Sequence, residues 1–231
     1  MALPIIKHPT FKVTIPSLKK EVNLRPFTVQ EEKILLMAKS SEKAEDIVSA
    51  VKQVIQNCVS EPIDIDKLAT FDIEYLFIKL RAKSVGEIVD LEYTDPDTNE
   101  LIKFKINLDD VEVKHNPEHT NKLAVVDNVG IVMRYPTLEE VEKVETGDNK
   151  EDAAFKMLLG CIEKIYDEQT VYTDYTESEL KDFVNSLPME SMNKVREFFE
   201  TMPSVEHEVK LKNKKGETKE VTLKGITSFF T

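Results

Sequence analysis

His115 and His119 stand four residues apart in His115-Asn116-Pro117-Glu118-His119. On a helix that spacing puts two imidazoles over one metal ion. Pro117 lies between them and disfavours an interior helical turn, so the shared face is lost, and no third ligand is indicated. Asp95-Pro96-Asp97-Thr98-Asn99-Glu100 opens like a calcium loop. Such a loop needs glycine at its sixth position and a bidentate Glu at its twelfth, where this chain has Glu100 and Ile106. A Pro-Asp turn between two strands accounts for the same residues. Cys58 and Cys161 both fall in apolar helical patterns, where a thiolate is unfavourable, and read as small core residues in a reducing compartment. Neither hairpin loop carries the cysteine pair of a zinc ribbon. No nucleophile elbow, phosphate loop or dinucleotide fingerprint is present. Glu31-Glu32 and Glu139-Glu140 sit in first helical turns, where the helix dipole favours anions without any catalytic role. The expectation is a protein that is not an enzyme and uses no cofactor and no metal.

Charge narrows the partners. The net charge of −12 divides as about −5 over Met1–Glu112 and about −7 over the remainder. Neither part is a basic module, and nucleic acid binding needs a positive surface to displace counterions from phosphate. The dense basic run Lys210-Leu211-Lys212-Asn213-Lys214-Lys215 falls at a predicted hairpin tip and reads as a solvated turn. No apolar stretch approaches the ~20 residues that span a bilayer. The first residues lack the pattern of a signal peptide, so the chain is expected in the cytoplasm at synthesis.

The elements that would position any site come in two similar series. Leu24-Arg25-Pro26-Phe27-Thr28-Val29-Gln30-Glu31 returns as Met133-Arg134-Tyr135-Pro136-Thr137-Leu138-Glu139-Glu140. Ser84-Val85 falls on Ser204-Val205, Val89-Asp90-Leu91 on Val209-Lys210-Leu211, and Ile106-Asn107-Leu108 on Val221-Thr222-Leu223. Phe11–Ile15 and Glu21–Leu24 alternate as a hairpin, and Thr28 and Glu31 have the spacing of a capping box, repeated by Thr137 and Glu140. A helix from about Glu42 to Val59 carries Ile47, Val51, Val54, Ile55 and Cys58 on one face. Its counterpart, with Asn149 as cap, carries Met157, Leu158, Cys161, Ile162 and Ile165. Helices are also expected over Asp72–Lys83, with Ile73, Leu76, Phe77 and Leu80 on one face, over Glu177–Val184, and over Pro188–Glu200. The first and last of these lead into strand pairs.

The fold class is therefore α+β: two tandem repeats, each a small helical group flanked by antiparallel β-hairpins and related by a pseudo-twofold. The expected boundaries are 10–112 for the first repeat, 113–120 for a polar linker containing Pro117, and 121–231 for the second. A duplicated body with no shared catalytic group points to a scaffold that binds proteins. Arg25 and Arg134, at equivalent places before the capped helices, are candidates for partner binding or for a salt bridge within each half. Phe229 and Phe230 in the tail are candidates for a hook onto another subunit or for internal docking.

The chain also resembles a known family. Leu24-Arg25-Pro26-Phe27-Thr28-Val29-Gln30-Glu31-Glu32-Lys33 and Phe71–Gly86, above all its end Ala82-Lys83-Ser84-Val85-Gly86, are similar to the T-even-type bacteriophage baseplate hub subunit and hub assembly proteins. So are Val132–Pro136, Phe199-Glu200-Thr201-Met202-Pro203 and Thr222–Phe230. The resemblance implies a chaperone or scaffold that binds other phage baseplate hub proteins in the host cytoplasm during contractile-tail assembly. Its alternative is a permanent structural component of the virion tail baseplate. An unrecognised metal-binding protein or enzyme is a third reading, and the resemblance leaves self-association open.

Overall fold

The structure is a computed structural model and describes residues 6–41, 43–214, 216–225 and 228. Its described residues form helices and strands in small antiparallel sheets, the expected α+β class. The chain divides into two compact units, one made of Met1–Lys114 with Ser204–Thr231 and the other of His115–Pro203.

The first unit opens with strands β1 (Phe11–Ile15) and β2 (Lys20–Leu24), paired with Val13 opposite Val22. Alternation buries Val13, Ile15, Val22 and Leu24 on one face. Helices α1 (Val29–Ser41) and α2 (Ala44–Cys58) follow, and α2 turns Val51, Val54, Ile55 and Cys58 inward. Helix α3 (Thr70–Ser84) was expected to bury a single face. Instead it is buried nearly all round, with Phe71, Ile73, Leu76, Phe77, Ile78 and Leu80 at 2% exposure or less. A helix buried on nearly every side, Asp72 and Glu74 included, belongs in the middle of a core. Its first turn is tied to the β1–β2 turn by Asp72, whose carboxylate accepts from Ser17 N (2.8 Å), Ser17 Oγ (2.5 Å) and Ala69 N (3.1 Å). Burial raises the Asp72 pKa in spite of those donors.

Strands β3 (Ile88–Thr94) and β4 (Leu101–Asn107) form the expected hairpin. The expected linker begins inside a further strand, β5 (Glu112–Lys114), which belongs to a sheet completed at the end of the chain.

In the second unit, β6 (Lys122–Val126) and β7 (Val129–Met133) precede α4 (Leu138–Thr146) and α5 (Lys150–Cys161). Asn149 caps α5 as expected, accepting from Asp152 N. The helix stops at Cys161, however. Ile162 and Ile165, expected on its inner face, lie in strand β8 (Ile162–Tyr166), which pairs with β7. The β-branched and aromatic residues of this stretch suit a pleated surface better than a helix, and both isoleucines still reach the core. Tyr166 crosses Gly130, its partner in register, where a Cβ would stand 2.2 Å from the ring. Strand β9 (Val171–Tyr172) completes the order β6-β7-β8-β9, and α6 (Glu177–Ser186) and α7 (Met189–Thr201) follow. The core gathers Leu123, Ile131, Met133, Leu159, Val184 and Phe198.

The last hairpin returns to the first unit. Strand β10 (Ser204–Lys212) pairs with both β5 and β11 (Thr218–Lys224), with Val205 opposite Val113. The compact units thus differ from the expected division into 10–112 and 121–231, because the last hairpin finds its strand partner at β5. Two matched positions also part company here. Ser84 ends α3 and accepts from Phe27 N (2.9 Å), whereas Ser204-Val205 opens a strand.

Candidate functional site

Arg25 and Arg134 each sit just after a strand, with a capped helix starting a few residues on. Arg25 N donates to the Cys58 carbonyl (2.9 Å), which ties the strand end to the C-terminus of α2. The guanidinium grips Glu31 through Nη2–Oε1 (2.9 Å) and Nη1–Oε2 (3.3 Å) and donates to the Pro26 carbonyl (3.1 Å). Glu31 also accepts from Thr28 N (2.8 Å) and Thr28 Oγ1 (2.7 Å), the reach-back half of a capping box. With the Arg25 bond as the main cause, and the Thr28 donors adding to it, the Glu31 carboxyl is held at about 2.

Arg134 repeats the arrangement bond for bond. Its N donates to the Cys161 carbonyl (2.7 Å), and Nη2 and Nη1 donate to Glu140 Oε1 (2.7 Å) and Oε2 (2.9 Å). Nη1 also donates to the Tyr135 carbonyl (3.0 Å), and Glu140 accepts from Thr137 N (2.8 Å) and Thr137 Oγ1 (3.2 Å). Desolvation alone would raise the Glu140 pKa, but the Arg134 and Thr137 donors outweigh it and lower it. Both guanidiniums are thus spent on bidentate pairs inside their own unit, the internal option for these residues. The acceptor was not named from the sequence; the Thr-x-x-Glu box that starts three residues after each arginine is the signal that could have found it.

Cys58 and Cys161 are buried free thiols. Burial pushes them up to about 11 and about 12, so neither is a nucleophile near neutral pH.

The calcium-like turn serves the hairpins. Asp95 is fully buried, accepts from Asp97 N (3.1 Å) and Thr98 Oγ1 (2.9 Å), and takes Lys219 Nζ from β11 at 2.7 Å. Lys219 also pairs with Asp97, and its bond to Asp95 is the first cause of the lowered Asp95 pKa. Lys214 N, in the basic run, donates to Glu100 Oε2 (2.9 Å), and Lys210 pairs with Glu220 (2.9 Å). Sequence reading missed this clasp between hairpin tips, whose members lie over a hundred residues apart. In the other unit His119 leaves the expected linker to stack on Tyr135 (centroids 5.6 Å) and pack at a tilt against Phe198 (5.1 Å), with Nδ1 2.9 Å from Thr201 Oγ1. Burial lowers its pKa. Phe229 and Phe230 lie outside the described residues.

The assembled polar groups thus hold elements together, and comparison with known proteins supplies the identity. A family model described as T4 bacteriophage base plate protein matches residues 8–231. The chain belongs to the T4 bacteriophage base plate protein family. No curated protein and no solved structure matches it. In this base plate protein, no group of three or more His, Cys, Asp or Glu among the described residues is placed to hold a metal ion. No described helix is long and apolar enough to cross a membrane. What the base plate protein does present is apolar surface. On α1, Val29, Leu36 and Met37 are 66%, 57% and 75% exposed, while Leu35 and Ala38 of the same helix are buried.

Proposed function

We propose that this base plate protein binds hub subunits during contractile-tail assembly, as a chaperone or scaffold, and carries out no catalytic step. The observation that supports this best is the outer face of α1. Val29, Leu36 and Met37 recur at seven and eight residues and lie within one sector of about 100° on the helix, which exposed Lys33 and Ser40 share. Large side chains grouped on one exposed face are costly in water and suit a protein partner. The carboxylates Glu31 and Asp95, both with strongly lowered pKa values, are occupied by Arg25 and Lys219. A second reading, a permanent component of the virion baseplate, is favoured by the family's description as a base plate protein.

Mass spectrometry of purified particles beside the infected-cell lysate tests both readings. Presence in the lysate with absence from particles supports an assembly factor, and stoichiometric presence in particles supports a structural component. Intact baseplates formed without the protein, together with no hub subunit recovered on it, would remove both. Met37→Lys, which changes only an exposed side chain of α1, is expected to reduce recovery of a hub subunit at least tenfold.

A further inference from the structure

The second unit treats the two edges of its sheet differently. Along β6, Lys194 Nζ donates to the Ala124 carbonyl (2.9 Å) and Ser191 Oγ to the Val125 carbonyl, so side chains of α7 cover that edge. Along β9 no further strand is paired among the described residues. Asp167 N donates to the Thr170 carbonyl (3.0 Å), so those two residues face each other across the turn. Alternation along an antiparallel ladder then turns the peptide N–H and C=O of Val171 outward. Val171 is 61% exposed.

Beside this edge lies an open groove of about 400 Å³. Val129, Ile165, Tyr175, Leu180 and Phe183 give it an apolar floor. Tyr175 is fixed by its hydroxyl, which donates to the Ile162 carbonyl (3.0 Å). The charged groups that line the groove are Asp167, Asp174 and Glu179, with no basic residue among them. Asp167 is held ionised by Gln169 N, the Tyr172 hydroxyl and Thr170 N, and Glu179 by Thr176 N and Oγ1. Their negative charge is therefore built into the local fold.

The geometry points to a docking site for an extended protein segment that carries a large apolar side chain between lysines or arginines. The segment pairs with the outward peptide of Val171, drops its apolar side chain between Tyr175 and Phe183, and sets its cations against Asp167, Asp174 and Glu179. Strand addition supplies the main-chain bonds, and the pocket and the charges supply the selection. This goes beyond the hub reading, which rests on α1 and on the family, and it stands or falls separately.

The test uses the full chain, isotope-labelled for NMR, and two synthetic capped hexapeptides. One has the sequence Lys-Val-Phe-Lys-Thr-Arg, and the other has each basic residue replaced by Glu. The basic peptide is expected to give saturable amide shifts at Val129, Ile165 and Val171–Val184, with the acidic peptide at least tenfold weaker. Asp174→Lys, which alters an exposed side chain, is expected to weaken binding at least fivefold. Val171→Pro removes the outward N–H at an edge position that tolerates proline and is expected to do the same. Absent or non-saturable shifts, shifts centred elsewhere, equal binding of the two peptides, or indifference to both variants would overturn the assignment. Amide dispersion checks that each variant is folded. Binding of the peptide, with intact baseplates formed without the protein and no hub subunit recovered on it, would leave the groove standing and remove the hub reading alone.

Discussion

At the Arg25 junction the carboxylate partner, Glu31, keeps 3% of its side chain exposed, while at the Arg134 junction Glu140 keeps 25%. The arginines follow suit at 27% and 37%. Donors, acceptors and spacing are otherwise the same, down to the cysteine carbonyl that takes the arginine N–H. The same hydrogen-bond pattern therefore operates in two amounts of water. An ion pair removed from water loses more when one partner is deleted, because the survivor is left charged and unsolvated. Identical wiring should thus have unequal consequences.

The largest expected effect separates the junctions directly. Arg25→Ala strands the buried Glu31 and is expected to cost about 3 kcal/mol, at the low end for breaking a buried pair. Arg134→Ala leaves Glu140 with access to water and is expected to cost about 1 kcal/mol. Hydrogen exchange read separately over α1 and α4 keeps the two units apart, since one melting curve need not describe a chain of two units. Equal losses of protection at α1 and α4 would show that burial is not what distinguishes the junctions.

Next in size is a control on the second unit itself. Gly130→Ala pushes a Cβ to 2.2 Å from the outer end of the half-buried Tyr166 ring, so the ring must swing aside or the β7–β8 pair must shift. The expected cost is about 2 kcal/mol, in the range for overpacking. If Gly130→Ala is as mild as Arg134→Ala, the second unit is simply tolerant, and the comparison with Arg25 says nothing about water.

Acid sharpens the contrast. The Glu31 carboxyl sits at about 2 against an ordinary 4.5, with the Arg25 bond as the main cause. The folded state therefore binds fewer protons than the unfolded chain between those values. Its stabilisation is present above the unfolded pKa and is lost as pH falls through about 4.5 toward 2. Glu140 is lowered as well: desolvation opposes the shift, and the Arg134 and Thr137 donors outweigh it. NMR titration of the two side-chain carboxyls is expected to give Glu31 the lower midpoint. A Glu140 midpoint at or below that of Glu31 would reverse the ranking.

The local parts of these junctions were legible in the chain. Thr28 with Glu31, Thr137 with Glu140 and Asn149 before α5 announce helix starts through bonds only three residues long. Alternation marked the hairpins for the same reason. The switch from α5 to β8 was not legible, because Ile162 and Ile165 satisfy a helical face and a buried strand equally well. The path of the last hairpin was hidden too. It depends on β5 pairing with β10 and on Lys219 reaching Asp95, contacts between distant residues that no local pattern encodes. The groove beside β9 belongs to the same class, since three separated stretches must meet to form it.

The smallest expected effect bears most closely on why the junctions differ. Gly160 precedes the cysteine whose carbonyl takes Arg134 N, and Asn57 holds that place before Cys58. A Cβ at Gly160 would lie 3.1 Å from Glu140 Oε1 and 3.5 Å from Arg134 Nη2, both at the ends of side chains that can shift slightly. Gly160→Ala gains helix propensity of about 0.5 to 1 kcal/mol and loses part of it to that contact, so its net effect is expected within about 0.5 kcal/mol. Gly160→Asn installs the residue that holds this place in the first junction, with its Cβ 3.1 Å from Glu140 Oε1. A double-mutant cycle then asks whether Arg134→Ala costs more in the Gly160→Asn background. An increase of about 0.5 kcal/mol or more would trace the difference in water to this one side chain. Strict additivity would trace it instead to the exposure of α4 as a whole.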